Sequence, residues 1–165
     1  LVAAAAADRA ELAVARAPRL SIIATGDELA APGEAHASAG AIPDSITAAV
    51  AALAAAHGAT IVGTALGADD LAALTDLAAA ALARSDILVI AGGASVGDHD
   101  HAQAMVAAHG FEPLFAKVAM KPGRPVWAGR AGSCWVIGLP GNPGSALVTA
   151  RLLLATMLAR LQGRS

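Results

Sequence analysis

The sequence is poor in the residues that mark several common classes of protein. Its 165 residues include one cysteine, no tyrosine and only 2% aromatic residues, although 56% are hydrophobic. A single cysteine excludes an internal disulfide, and the apolar neighbours of Cys134 predict a buried strand thiol. We therefore expect a reducing, cytoplasmic location. The core must consist of small aliphatic side chains, packed by close approach of the backbones.

The sequence also lacks an excess of charge of one sign, since it has 11 basic and 13 acidic residues and a net charge of −2. Binding of nucleic acid needs clustered Lys and Arg to neutralise phosphate, so we expect no nucleic-acid partner. Residues 45–68 carry no charge, but they are mostly alanine, glycine and threonine, which are too weakly apolar to drive insertion into a membrane. We therefore expect a helix and a strand there, and no membrane partner.

The N-terminal apolar run lacks a positively charged leader and is followed directly by Asp8, Arg9 and Glu11, unlike a signal peptide. We interpret residues 1–17 as a linker and residues 18–165 as one domain. A domain of this size can bury most of its apolar surface around a single core.

Apolar runs alternate with helical patterns along most of the domain. Strands are predicted at 20–25, 59–66 and 86–93, and helices from about Ser45, over 70–85 and over 100–110. This alternation predicts a three-layer α/β/α fold with a mostly parallel sheet covered on both faces. Further on, extended pieces are predicted at 111–120, 125–130 and 133–140, the last two joined by an antiparallel hairpin at 129–133. A final helix is predicted from 143 to 161, with Asn142 as its cap and Pro143 at its first position.

Two His-Gly pairs, His57-Gly58 and His109-Gly110, each end a predicted helix just before a strand. The glycines fit the left-handed position that follows a helix. The histidines fit the last helical turn, where a polar or cationic group complements the helix dipole. We interpret both histidines as structural.

Three loops that follow strands are rich in polar residues and glycine: "TGDEL" (25–29), "GADD" (67–70) and "GGASVGDHD" (92–100). Ligands of open parallel sheets bind outside the carboxyl ends of the strands, where these loops must lie. Gly92, Gly93 and Gly97 permit positive φ and close approach of a ligand to the main chain, and the next helix start favours an anion. A tight connection without a ligand is the alternative.

Acidic residues from these three loops are expected to converge. Glu28, Asp69 and Asp100 would repel one another and any phosphate unless a divalent cation lay between them, and Mg²⁺ suits carboxylate and phosphate oxygens. The alternative for Asp69 is a helix cap, the role also open to Asp44. His99 and His101 flank Asp100, but without further histidine or cysteine nearby we interpret them as surface polar residues.

Two lysines in "KVAMKPGRP" (117–125) form a further candidate site. In extended geometry Lys117 and Lys121 point to the same side, because they are an even number of residues apart. Two ammonium groups on one side fit an oxyanion or phosphates. The alternative is a solvated edge strand that discourages aggregation.

Four motifs in order, "TGDEL", "GGASVGDHD", "KPGRP" and "LPGNP", closely resemble the central molybdopterin-binding domain of the MoeA and gephyrin E-domain family. The resemblance covers residues 18–162. It implies insertion of molybdate into adenylated molybdopterin, with release of AMP in a step that depends on Mg²⁺ or another divalent cation. It also implies further domains on both sides, a homodimer in the full-length form and an adenylyltransferase as a candidate partner protein.

The resemblance also implies roles for individual residues. Asp69 and Asp100 are implied in catalysis, and Glu28, Asp69 and Asp100 in holding the cation. Ile46 departs from the family, which usually carries Asn there. The residues implied in binding the pterin substrate, its phosphates or molybdate are Thr25, Gly26, Asp27, Glu28, Asp44, Ser45, Gly92, Gly93, Ser95, Gly97, Lys117, Lys121, Pro140, Gly141 and Asn142.

Two other functions remain open at this point. The first is a molybdopterin adenylyltransferase, which acts one step earlier and needs productive ATP binding. The second is a non-catalytic dimeric scaffold of the gephyrin type, which would bind a peptide and would be indifferent to loss of Asp69 or Asp100.

Overall fold

A single mixed sheet organises the chain. The computed structural model describes residues 2–92 and 101–164, and within them six strands form this sheet in the order β4-β1-β5-β8-β7-β6. Its strands are β1 (Arg19–Thr25), β4 (Thr60–Gly67), β5 (Ile87–Ala91), β6 (Phe111–Phe115), β7 (Trp127–Ala131) and β8 (Cys134–Leu139). The first four in the order are parallel, and β7 runs antiparallel to both β6 and β8. A separate parallel pair consists of β2 (Leu29–Ala30) and β3 (Ile42–Pro43).

Helices cover both faces of the sheet. They are α2 (Ile46–Ala56), α3 (Leu71–Arg84), α4 (His101–Ala107), α5 (Pro143–Thr149) and α6 (Ala155–Leu161), whereas α1 (Val2–Ala6) has no buried residue. A π-helical turn, Ala150–Leu154, joins α5 to α6, so that this helix is continuous from 143 to 161, and a short 3₁₀ turn spans Ala35–Ala37. The three-layer fold expected from the sequence is confirmed.

The core consists of two apolar layers, one on each side of the sheet. Successive side chains of a strand point to opposite faces, so Ile22 packs towards α2, α5 and α6 whereas Ile23 packs towards α3 and α4. All five residues of β5 are buried, as expected for a strand covered on both faces. This explains the near-continuous apolar composition of the central strands.

Most predicted turns and boundaries agree with the structure. Gly58 and Gly110 have φ of +84° and +71°, as predicted for residues that follow a helix. Ala131 pairs with Cys134 across the predicted hairpin, which leaves Gly132 and Ser133 as its turn. Residues 45–68 form α2 and β4 rather than a membrane span.

The prediction of an extended segment over 111–120 is wrong beyond Phe115. Residues 116–126 form bends and turns, and regular pairing resumes only at Trp127. Pro122 and Pro125 lack the N–H that a central ladder needs, and Gly123 takes a φ of +106°. Lys117 and Lys121 therefore do not lie on one side of a strand, contrary to the prediction.

One helix in the described residues, Pro143–Leu161, is long and apolar enough to cross a membrane by length and composition alone. Four of its apolar residues are fully buried in the protein: Ala146, Ala150, Leu154 and Leu158. They belong to the apolar layer shared with α2 and with strands β1, β5 and β8. Packing against the sheet thus accounts for much of the apolar composition of this helix.

Candidate functional site

A cavity of about 480 Å³ lies where β1, β5 and β8 end and where α2 and α5 begin. This is the edge at which ligands of parallel sheets bind. Eight residues predicted to bind substrate line the cavity: Thr25, Glu28, Asp44, Ser45, Gly92, Pro140, Gly141 and Asn142. The structure thus brings together residues from four segments far apart in the sequence.

The starts of α2 and α5 are capped by side chains at this cavity. Oδ1 of Asp44 accepts hydrogen bonds from the N–H groups of Ile46 (3.0 Å) and Thr47 (3.1 Å). Oδ1 of Asn142 accepts one from the N–H of Ser145 (3.1 Å), as predicted for the cap of the last helix. Oδ2 of Asp44 has no hydrogen-bond partner among the described residues, although Asp44 is only 5% exposed.

The short β2–β3 pair holds the start of α2 beside the first loop. The N–H of Ile42 donates to the carbonyl of Glu28 (2.8 Å), and the N–H of Asp44 donates to the carbonyl of Ala30 (2.9 Å). The chain therefore returns after residues 31–41 to lie beside the first loop. This return places Asp44 and Glu28 on the same cavity.

The ends of β1 and β5 approach one another so closely that a side chain at Gly92 is excluded, and the end of β8 lies beside them. Gly92 has a φ of +96°, and a Cβ added there would lie 2.5 Å from the carbonyl oxygen of Thr25. A Cβ on Gly141 would lie 3.6 Å from the Cα of Gly92. We conclude that Gly92 is required by both its backbone conformation and its contact with Thr25.

Thr25 carries a buried hydroxyl that the fold does not use. The residue is 4% exposed, and its Oγ1 has no hydrogen-bond partner among residues 2–92 and 101–164. A buried polar group left unpaired costs roughly 1–3 kcal/mol, so native proteins keep few of them without a reason. Thr25 lines the cavity, whereas the other two buried polar atoms without a partner among the described residues, Oγ1 of Thr47 and Nε1 of Trp127, belong to residues that do not.

A second group of acidic residues lies where β1 and β4 end. Oδ1 of Asp27 accepts a hydrogen bond from the N–H of Asp69 (2.8 Å), and the N–H of Gly26 donates to the carbonyl of Gly67 (3.2 Å). The cap of α3 is Asp70, whose Oδ1 accepts from the N–H of Ala73 (2.7 Å). The cap interpretation of Asp69 is therefore wrong, and its carboxylate makes no hydrogen bond with any described residue.

Residues 21–160 match the model of a family described as "Probable molybdopterin binding domain". The chain belongs to this family. It is 35% identical over 155 residues to a molybdopterin molybdenumtransferase of Haemophilus influenzae, covering 94% of this chain and 38% of that protein. It is also 35% identical over 167 residues to molybdopterin molybdenumtransferase 2 of Mycobacterium tuberculosis, covering 97% of this chain and 40% of that protein.

Solved structures of related proteins have the same fold. A molybdopterin biosynthesis MoeA protein from Pyrococcus horikosii superposes with a TM-score of 0.79 at 30% identity, covering 90% of this chain and 36% of that one. The molybdopterin biosynthesis enzyme MoaB from Thermus thermophilus superposes with a TM-score of 0.67 at 17% identity, covering 89% and 98%, and is similar in fold alone. The molybdopterin-binding domain thus spans about two fifths of the length of the curated relatives it matches.

Several predicted residues of the molybdopterin-binding domain do not line the cavity: Gly26, Asp27, Asp69, Lys117 and Lys121. The two lysines lie in the bent segment 116–126, which contributes Pro125 to the cavity wall. Gly93, Ser95, Gly97, His99 and Asp100 lie outside the described residues. Their predicted roles stay predictions.

Sequence reasoning missed most of the apolar wall of the cavity. Leu29, Ile42 and Ile46 form one part, and prolines 43, 125 and 143 contribute others. A proline next to glycine or an acidic residue weakly indicates a loop that could line a cavity. Nothing in the sequence around Ile42 indicates that it lines one. The wall makes this cavity a mixed apolar and polar site, as is usual for small-molecule pockets.

The carboxylates of the molybdopterin-binding domain are suited chemically to a hard divalent cation. Within residues 2–92 and 101–164, however, no three His, Cys, Asp or Glu side chains are grouped closely enough to hold a metal ion. Glu28 lines the cavity, whereas Asp69 lies at the neighbouring acidic loops. A cation held by these two residues would need further oxygens, from water, from a bound substrate or from the predicted ligand Asp100.

The clear pKa shifts lie away from this site. The Arg16 guanidinium, bonded to both oxygens of Asp86, holds the pKa of that carboxyl well below its usual range. Burial raises the pKa of the Cys134 thiol to about 11, which confirms the buried strand thiol. At neutral pH this thiol stays protonated and does not act as a nucleophile.

Proposed function

We propose that the chain is the substrate-binding domain of an enzyme of molybdenum cofactor biosynthesis, which inserts molybdate into adenylated molybdopterin and releases AMP. One observation carries the proposal: eight predicted binding residues and the unpartnered Thr25 hydroxyl surround one cavity at the carboxyl edge of the sheet. Similarity to proteins named molybdopterin molybdenumtransferase supports the choice of reaction. The MoaB-like neighbours support the fold alone, so they do not favour the adenylyltransferase.

The cavity would bind the substrate by two kinds of contact. Its volume of about 480 Å³ lies within the usual range for small-molecule pockets, roughly 300–1,000 Å³. The apolar wall would pack against the flat pterin ring, and the Thr25 hydroxyl and helix starts would receive its polar and anionic groups. Lys117 and Lys121 would bind anionic substrate or molybdate from the adjoining bent segment.

Cleavage of a phosphoanhydride needs an oriented water molecule and neutralisation of charge on the phosphate oxygens. Asp69, whose carboxylate is unpartnered among the described residues, would orient the water together with Asp100. Glu28, Asp69 and Asp100 would hold a Mg²⁺ ion, which would supply the neutralising charge. The proposal needs no covalent nucleophile.

The proposal extends to the setting of the reaction. Residues 1–17 act as a linker, and the full-length polypeptide works as a homodimer in the cytoplasm. An adenylyltransferase supplies the adenylated substrate.

AMP release tests the proposed reaction. The full-length polypeptide that carries this chain should release AMP from adenylated molybdopterin in the presence of molybdate and Mg²⁺. Asp69→Asn should slow this release by about 100-fold or more, the usual effect of removing an acid–base or cation-binding carboxylate. Glu112→Gln, on the distant strand β6, is the matched control and should retain turnover.

Two results would contradict the proposal. Consumption of ATP with unadenylated molybdopterin would identify an adenylyltransferase instead. Peptide binding without turnover of either substrate, unaffected by Asp69→Asn, would identify a scaffold.

A further inference from the structure

The first and second polar loops are joined at the point where their strands end. The last residues of β1 and β4, Thr25 and Gly67, are partners in the parallel ladder. Beyond them the N–H of Gly26 donates to the carbonyl of Gly67 (3.2 Å), and the N–H of Asp69 donates to Oδ1 of Asp27 (2.8 Å). Contact between the two strands therefore continues through the loops.

Asp69 depends on this contact for its position. It precedes the cap of α3, and the carboxylate of Asp70 is already used by the N–H of Ala73 (2.7 Å). The N–H of Asp70 turns back to the carbonyl of Ala68 (2.7 Å), which leaves the N–H of Asp69 directed away from the helix. Among the described residues, the acceptor of that N–H is Asp27.

We propose that Asp27 is a positioning residue for Asp69 rather than a contact for the substrate. Its Oδ1 holds the main chain at Asp69 and so sets where the Asp69 carboxylate starts. Asp27 does not line the cavity, which separates it from Glu28, its neighbour in the same loop. The inference rests on the proposed function for its catalytic consequence, but the contact itself is independent of it.

The role requires an acceptor oxygen and not a negative charge. An N–H group donates to the amide oxygen of Asn as it does to a carboxylate, although the charged acceptor makes the stronger bond. A residue that bound a cation or a phosphate-linked cation would instead need its charge. Asp27→Asn and Asp27→Ala therefore distinguish the two roles.

Hydrogen exchange of the Asp69 amide, followed by NMR on this chain, tests the contact. Exchange in Asp27→Asn should stay within about threefold of the unsubstituted chain, whereas Asp27→Ala should exchange about tenfold faster or more. Glu34→Ala, an exposed acid with no side-chain hydrogen bond among the described residues, is the matched control. Equal exchange rates in all four proteins would overturn the proposal.

Turnover of the full-length polypeptide tests the consequence. Asp27→Ala should lower kcat for AMP release about tenfold or more with little change in KM, and Asp27→Asn should recover to within about threefold. The midpoint of the Mg²⁺ titration should not change in Asp27→Asn. If Asp27→Asn were as inactive as Asp27→Ala while its Asp69 amide stayed protected, Asp27 would act through its charge and the proposal would be wrong.

The two readouts separate this inference from the proposed function. Absence of AMP release by the unsubstituted polypeptide would overturn the proposed reaction, and the catalytic consequence with it. The exchange comparison would then still decide whether Asp27 positions Asp69.

Discussion

Several polar side chains at the two edges of the sheet differ in their hydrogen bonding. At the amino edge, the polar groups of His57, His109 and Asp86 are bonded to other parts of the chain. At the carboxyl edge, the Thr25 hydroxyl and the Asp69 carboxylate have no partner among the described residues. Folding favours pairing of buried polar groups, so the buried Thr25 hydroxyl is the group that the fold alone does not explain, whereas the Asp69 carboxylate is exposed to solvent.

The amino edge illustrates what purely structural polar residues look like. Nδ1 of His57 lies 2.8 Å from the carbonyl of Leu53, and its Nε2 accepts a hydrogen bond from Arg151 (2.9 Å). Gln162 donates to the carbonyl of His57 (2.7 Å), and Nε2 of His109 lies 3.0 Å from the carbonyl of Thr75. The structural interpretation of both histidines fits these contacts, which tie helix ends to neighbouring segments.

The free energy of unfolding should be most sensitive to a larger side chain at the carboxyl edge. Gly92→Ala combines an unfavourable φ with a Cβ 2.5 Å from the Thr25 carbonyl oxygen, so we expect a loss of about 3 kcal/mol in the free energy of unfolding. Gly40→Ala is the matched control: its φ is +84°, but nothing lies within 4 Å of an added Cβ. It should lose about 1 kcal/mol, from backbone strain alone.

Urea denaturation measures both losses. Equal losses in the two variants would mean that the close contact between the ends of β1 and β5 is absent in solution. That result would remove the tight packing on which the geometry of the carboxyl edge depends.

The amino edge should show a smaller and pH-dependent effect. Asp86 accepts hydrogen bonds from Arg16 and from the main-chain N–H of Arg19 (2.7 Å), and we expect Asp86→Ala to lose about 2 kcal/mol at pH 7. The pKa of Asp86 is lowered on folding, so its contribution is present above its unfolded value and is lost as pH falls. The difference between the two proteins should therefore shrink below about pH 4.

Denaturation at pH 7 and at pH 3 measures this effect. Asp76→Ala, an exposed acid on α3, is the control and should change the free energy of unfolding by no more than about 0.5 kcal/mol. A loss for Asp86→Ala that was independent of pH would show that the ion pair contributes little.

The fold could be predicted from the sequence because its signals are local and repeated. Apolar runs such as residues 87–91 are too short for helices and too continuous for half-exposed strands, and they alternate with helical patterns. The position of the cavity could be predicted from the topology, since the loops that follow parallel strands meet at one edge of the sheet. Thr25, Gly92 and Asn142 therefore line one cavity, although 117 positions separate the first from the last.

The sequence did not suffice where two neighbouring residues could play the same role, or where the paired strands are very short. Asp69 and Asp70 are equally good caps in composition, and only the exact start of α3 selects Asp70. The β2–β3 pair has two residues in each strand, too few to show a period, so Ile42 could not be placed in the cavity wall. The bent segment 116–126 follows from its prolines, which outweighed the extended pattern around Lys117.

We expect the carboxyl edge to bind adenylated molybdopterin through polar groups that the fold leaves unpaired. Calorimetric titration of the full-length polypeptide with adenylated molybdopterin and Mg²⁺, with ATP as the comparison ligand, tests it most directly. Thr25→Val should weaken binding of the adenylated pterin about tenfold, as loss of one hydrogen bond to a bound ligand does. Thr75→Val, at a half-buried position on α3 that does not line the cavity, should bind as tightly as the unsubstituted protein. Equal binding by all three proteins, or tighter binding of ATP than of the adenylated pterin, would contradict the account.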